Sequence, residues 1–294
     1  MAANYLGSKI SLNGSDIVGI TSVSYEPGRT AILPQTDGRG TATLAGVTRC
    51  QPVLSIVSLS VGAVLSAMEA SGSDLPYKTL SSTGLIWTDR KVSANAPTID
   101  ASSVHEQAAA ALGVIAVTGI EAQDGEPATI SAVCYPTSSN GTTDPVAFSQ
   151  VAAPADVTTI TPWILDSVTL DSTAIAEVIG VSLGISIDWQ IEFGSKVFPQ
   201  MARPRRSDWT LTIRHRDRTV PRVKLDKDSN ASFVLKSIDS GGPTRGSGTV
   251  TVTVTGLIHQ GGASQGQDPT EITTIVRGRF KTSGSVMPGT WAVA

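Results

Sequence analysis

The segment "GISIDWQIEF" places Ile185, Ile187, Trp189, Ile191 and Phe193 at every second position. A period of two over nine residues buries one face only as a β-strand, because successive side chains point to opposite sides of a pleated backbone. "SGTVTVTVTGLIHQ" repeats the pattern with Val250, Val252 and Val254, and "SDWTLTIRHRD" with Trp209, Leu211 and Ile213. "EITTIVRGRF" and "GEPATISAVCY" read the same way. Strands that are apolar on one face and polar on the other belong to antiparallel sheets. Helix signals are few. "SSVHEQAAAAL" offers Ser102 or Ser103 as an N-cap, Glu106 behind it and four alanines, which predicts a short helix. "VGAVLSAMEAS" and "SNASFVLKSID" are weaker helix candidates. The expected fold class is all-β with short flanking helices.

The chain has 294 residues, about right for two domains. "SLNGSDIVGITSVSYE" from residue 11 and "TLDSTAIAEVIGVSLG" from residue 169 resemble each other at an offset of 158, Leu12 to Leu170. Ile10, Ile17, Ile20, Val23 and Tyr25 then fall on Val168, Ile175, Val178, Val181 and Leu183. "ILPQ" at 32–35 meets "VFPQ" at 197–200. "ATISAVCYPTSSNGTTDPVAF" meets "VTVTVTGLIHQGGASQGQDPTEI" at an offset of 124, which reads as one long-looped hairpin used twice. These collinear matches predict an internal duplication: a β domain over 1–150, a linker over 151–162 containing Pro154 and Pro162, and a second β domain over 163–294.

Apolar residues make up 40% of the chain, enough for a sizeable core, whereas charged residues are 16% against a usual quarter or so. A surface so poor in charge fits burial against partner subunits, or a Ser/Thr-coated β protein. The net charge of −3 does not advertise nucleic-acid binding. Cys50 and Cys134 form no disulfide framework, and unpaired thiols are the default expectation. The start "MAANYLGSKISLNG" lacks a basic segment followed by an apolar one, so no signal peptide is expected. The uncharged stretch "PVLSIVSLSVGAVLSAM", residues 52–68, is short for a membrane span. Its Ser-interleaved pattern fits a buried strand running into a short helix, and no membrane insertion is expected.

Chemistry is sparse. His105, His215 and His259 have no metal-ligand neighbour at helical or hairpin spacing and read as surface or interface residues, His105 in a helix start, His215 at a strand end and His259 in a loop. No nucleophile elbow or P-loop is present. "FKTSG" at 280–284 lacks the Ser-x-x-Lys partner that a β-lactamase-like site needs. Asp188 and Glu192 form no more than a generic polar strand face. No enzyme activity, cofactor or metal is expected. The sequons at Asn13, Asn140 and Asn230 read as turn chemistry, two of them as hairpin turns or loop tips. The one charge feature runs over 202–228, where Arg203, Arg205, Arg206, Arg214, Arg216, Arg218, Arg222, Lys224 and Lys227 are 9 of the 22 basic residues. Trp209 is the only interleaved aromatic and four aspartates dilute the charge, so the strip reads as subunit or ring contacts, with Arg203, Arg205, Arg206, Arg214 and Arg216 as candidates, ahead of a nucleic-acid patch.

With "SKISLNGSDIVGITSVSYE", "SVTLDSTAIAEVIGVSLGISID", the two Pro-Gln loops and the closing hairpins, the chain resembles the tail tube (major tail) proteins of long non-contractile-tailed phages. That resemblance covers most of the chain as a pattern. It implies tandem β-sandwich or barrel domains and stacked rings whose lumen conducts phage DNA. For a duplicated chain it implies three subunits per ring with pseudo-sixfold symmetry. It further implies location in the virion tail, assembly in the host cytoplasm, and terminator, tape-measure and distal tail proteins as partners. The competing expectation is a virion-surface, decoration or receptor-binding β-sandwich module.

Overall fold

The computed structural model describes residues 5–32, 46–68, 76–81, 83–91, 99–154, 160–217, 228–238, 245–261, 271–278 and 288–294. The chain is nearly all strand. In order it forms β1 (Tyr5–Leu12), β2 (Ser15–Ile17), β3 (Ile20–Glu26), β4 (Arg29–Ile32), β5 (Gly46–Cys50), β6 (Val53–Ser58), α1 (Val61–Met68), β7 (Tyr77–Thr79), β8 (Leu85–Lys91), β9 (His105–Ala110) and β10 (Gly113–Gln123). There follow β11 (Thr129–Pro136), β12 (Ala147–Val151), β13 (Trp163–Leu170), β14 (Thr173–Ala174), β15 (Val178–Glu192), β16 (Met201–His215), β17 (Asp228–Ile238), β18 (Arg245–Gly261), β19 (Ile272–Gly278) and β20 (Gly289–Val293). Every strand pairing among the described residues is antiparallel, as the alternating pattern requires.

One strand order occurs twice. In the second half it is β14-β13-β17-β18-β19-β16-β15, with β20 added on β18. In the first half β2-β1-β8-β9 lie in a five-stranded sheet with β12 added on β9, and β10-β11-β6-β3 lie in the large sheet. β9 and β10 together take the place of the single long β18, which runs from one layer into the other. Inward residues of both layers, among them Ile10, Trp87, Ile120 and Ile130 in one half and Val168, Phe233, Leu211 and Val276 in the other, are buried in a common core.

The register repeats as well. β1–β2 turns over Asn13 and Gly14, and β13–β14 over Asp171 and Ser172, all four with positive φ. That is the backbone of a tight two-residue hairpin whose twist matches its strands. Asn13 Oδ1 accepts the Ser81 amide at 2.8 Å, and Asp171 Oδ1 accepts the Asn230 amide at 3.0 Å. β3 pairs with β6 and β15 with β16, and each hairpin has an extra residue near its base, Thr21 in one and Ile179 in the other. Further out, Thr48 bulges from β5 and Arg205 from β16 at equivalent points. β4 and β5 continue the β3–β6 ladder beyond a break at Pro27 and Pro52, so both halves extend a long hairpin arm. Bulges re-aim a strand and fix its faces, so shared bulge positions are a stricter match than shared apolar residues.

Several expectations are corrected. "SSVHEQAAAAL" is strand, not helix. Asp100 accepts hydrogen bonds from the Ser102 amide and both serine hydroxyls in a turn, and β9 then inserts between β8 and β12 with Ala108 opposite Trp87 and Phe148. Two neighbouring strands override the alanine propensity. "SNASFVLKSID" is β17, and Asn230 therefore sits in a strand. Residues 52–68 do form a strand followed by α1, whose inward face buries Val61, Val64, Leu65 and Met68. The 124-residue offset fails: β11 pairs with β10 and β6, not β12, and its counterpart by position is β19. The "ILPQ" match falls largely on residues outside those described. Asn13 and Asn140 do occupy a hairpin turn and a loop.

Candidate assembly interface

The two halves meet along strands. β15 pairs with β10 from Gly119 opposite Gly184 to Gln123 opposite Gly180, which makes one continuous sheet of both halves. Glycine permits this close approach. A Cβ on Gly119 would stand 3.0 Å from the Leu183 carbonyl oxygen, and one on Gly180 would stand 3.0 Å from that of Ala122. Behind the joint, Trp163 at the start of β13 lies against α1 at Gly62, and its carbonyl accepts the Ala128 amide at 2.6 Å.

The long hairpin of the second half is held by β5, β7, β11 and the loop after β11 of the first. The Cys50 amide bonds to Val197 O at 2.8 Å, Ser138 to Pro199 O at 2.7 Å, and Phe198 to Gly141 O at 3.0 Å. Arg49 stacks 5.0 Å above the Phe193 ring, within cation–π range. Trp189 meets Tyr135 and Tyr77 with ring centroids 5.2 and 6.1 Å apart.

The candidate arginines are spread along β16 rather than gathered. Arg206, Asp208, Thr210, Thr212 and Arg214 alternate on the face opposite the core. Arg206 pairs with Asp208 at 2.8 Å, both well exposed. Arg205, the bulged residue, donates to Gln190 at 3.0 Å, and Arg203 contacts the Met201 sulfur. Arg214 stands 3.8 Å from Glu271 beside a shallow groove with Glu121, Gln123, Ser182 and Thr212. Arg216 lies just past the strand end, exposed, and donates its amide to Glu177 O. Arg218, Arg222, Lys224 and Lys227 lie outside the described residues. The outward face of this part of the large sheet sets Ser182, Gly184, Ser186, Thr210 and Thr212 among charges of both signs, Glu121, Asp188 and Asp208 against Arg206 and Arg214.

Two histidines are buried rather than on the surface. His105 is enclosed in β9, its Nδ1 accepting the Lys91 amide at 2.9 Å. His215 Nε2 lies 3.1 Å from Thr274 Oγ1, and burial lowers its pKa while Asp217 opposes the shift. His259 belongs to β18, not a loop. Cys50 and Cys134 are both free and buried, and burial pushes the Cys134 thiol far up. Among the described residues no group of three or more His, Cys, Asp or Glu could hold a metal, and no helix is long and apolar enough to cross a membrane. A cleft of about 200 Å³ lined by Tyr25, Arg29, Cys50, Asp144, Val197 and Phe198 lies where the first-half arm meets the second half. Sequence reading missed the Gly119–Gly184 joint, although glycine inside an alternating strand is itself a signal of close backbone approach. No family model matches the chain, and no curated protein matches it.

Proposed function

We propose that this chain is a self-assembling structural protein of a phage tail, a tandem copy of one β domain in which three subunits close a pseudo-hexameric ring and rings stack into a DNA-conducting tube. The observation that carries this reading is the repetition of strand order, hairpin register and bulges in both halves, with the halves joined edge to edge. A heterologous edge contact that recurs through a fixed rotation builds a ring. Two such domains per chain supply six positions from three subunits. Arg203, Arg205, Arg206, Arg214 and Arg216 serve protein contacts between subunits or rings. The resemblance adds terminator, tape-measure and distal tail proteins as partners, and the virion tail as the location.

Electron microscopy and sedimentation of the concentrated protein test the proposal. The expected result is rings and tubes with three-fold symmetry and a six-fold appearance, burying well over about 1,000 Å² per subunit. A small closed oligomer or persistent monomer favours a virion-surface binding module instead. A ring of six whole chains removes the role given to the tandem repeat.

A further inference from the structure

We infer that the first half carries a docking hollow for a second copy of this chain: the cleft beside Tyr25 and Phe148, filled on assembly by an apolar side chain from that copy's second half. This rests on the ring reading and names one contact between neighbours.

The hollow is defined by what the other half has in its place. In the shared register, Tyr25 opposite Leu54 corresponds to Leu183 opposite Leu211. Two residues further on, the second half pairs Ile185 with Trp209, where the first half has Pro27 and Pro52. The facing layer matches in the same way. Ile10, Trp87, Ala108 and Phe148 lie side by side across β1, β8, β9 and β12. Val168, Phe233, Val252 and Trp291 do so across β13, β17, β18 and β20. Phe148 is therefore the counterpart of Trp291, and Pro52 that of Trp209.

The counterparts differ in burial. Trp209, 1% exposed, stacks on Trp291 with ring centroids 5.9 Å apart, and Trp291 is 4% exposed. Phe148 is 63% exposed. Its ring meets Tyr25 at 5.6 Å and Trp87 at 6.4 Å, both edge-on, and Pro52 offers it nothing comparable to the Trp209 indole. Along Tyr25, Pro27 and Pro52 runs the cleft of about 200 Å³, and Val47, 45% exposed, continues its apolar wall. Single apolar residues are ordinary on a surface, but an apolar hollow beside an exposed phenylalanine marks an interaction site. Arg29 and Asp144 face the cleft with opposite charges, so it favours neither an anion nor a cation. Its walls fit an apolar side chain.

The occupant follows from position. Tyr25 belongs to β3, at the opposite end of the first half's part of the large sheet from β10, which makes the joint within the chain. A ring presents that end to the second half of the next copy. The cleft also continues an existing contact between halves. Val197 and Phe198 of the second-half turn form part of its wall, where the Cys50 amide donates to Val197 O. A neighbouring second half thus extends an interface that the chain already makes with its own.

The test is Phe148→Lys in the full chain. Because the side chain is mostly exposed, Tm and the circular dichroism spectrum should not change, whereas the concentration at which rings or tubes sediment should rise at least about tenfold. A second reading keeps an aromatic ring in place: p-benzoylphenylalanine at position 148, irradiated in the assembled protein, should join pairs of chains through second-half residues. Assembly unaffected by Phe148→Lys, with no such adduct, overturns the hollow as a contact and leaves the ring reading standing. An adduct to another first half overturns the assigned occupant. A chain that stays monomeric at every concentration overturns both readings.

Discussion

Replacing Gly62 with Ala tests how firmly the halves are clamped. In a helix, Gly→Ala ordinarily stabilises, by at most about 1 kcal/mol and less in the first turn, where Gly62 sits. Here the new Cβ would lie 2.4 Å from Trp163 Cζ2 and 2.9 Å from Cε2, well inside van der Waals contact. The ring cannot easily retreat. Trp163 is 7% exposed, its Cη2 also stands against Gly248, and its backbone is held by Ala128. Overpacking of this kind costs about 1–3 kcal/mol. The clash therefore outweighs the helical gain, for a net loss of about 1 kcal/mol, or about 2–4 °C in Tm for a chain of this size. Thermal unfolding followed by circular dichroism reads it. A double-mutant cycle separates the causes: with Trp163→Leu in place, Gly62→Ala should become neutral or stabilising, giving a coupling of about 1–3 kcal/mol. A higher Tm for Gly62→Ala beside an intact Trp163, or a cycle without coupling, would refute the clamp.

Three further outcomes are expected. His215 is held neutral by burial, so the folded chain resists a proton that the unfolded chain takes up below its ordinary pKa of 6.5; stability should fall as pH drops below about 6.5 and level off once the lowered folded value is passed, and His215→Gln should flatten that slope in urea titrations at several pH values. Asn13→Ala and Asp171→Ala each place a Cβ-bearing residue without a capping oxygen at φ 50°, so each should cost about 1–3 kcal/mol, while Asn13→Gly should cost less; similar losses at the two sites check their equivalence by denaturant unfolding. Changing Arg203, Arg205 and Arg206 to Ser should leave the free energy of unfolding within about 1 kcal/mol, since the Arg206–Asp208 pair is exposed, yet weaken assembly in a salt-dependent way by light scattering; unchanged assembly with lost DNA binding would reverse their assignment.

The fold class was legible because alternation is a local signal. Ile185 to Ile191 and Val250 to Val254 read as strands in isolation, and they are strands. The correspondence of Leu12 with Leu170 was legible too, since a hairpin with a two-residue turn is specified by about a dozen neighbouring residues. The His105–Ala110 segment was not, because its state is decided by Trp87 and Phe148 on strands that are remote in sequence. The false 124-residue match has the same root. A Gly/Ser loop ending in Asp-Pro looks alike wherever it occurs, but whether the flanking strands pair depends on what competes for their edges: β12 goes to β9 and leaves β11 to β6. His105 and His215 were misread because burial of a lone polar side chain leaves no trace in periodicity.

On the proposed reading, a tandem chain changes how a ring must form. The five-residue joint between β10 and β15 is short for an independent association. Within one chain its partners face each other at an effective concentration on the order of millimolar, so the joint forms as part of folding and is reinforced by Trp163 on α1 and by the loops around the 193–200 turn. The equivalent joint between chains lacks that advantage. On the ring reading, an open chain of copies leaves an unsatisfied strand edge at each end, whereas closure satisfies every edge at once. Assembly should therefore set in sharply with concentration, with closed rings dominating over dimers, because the last contact gains strand pairing without a further loss of translational freedom.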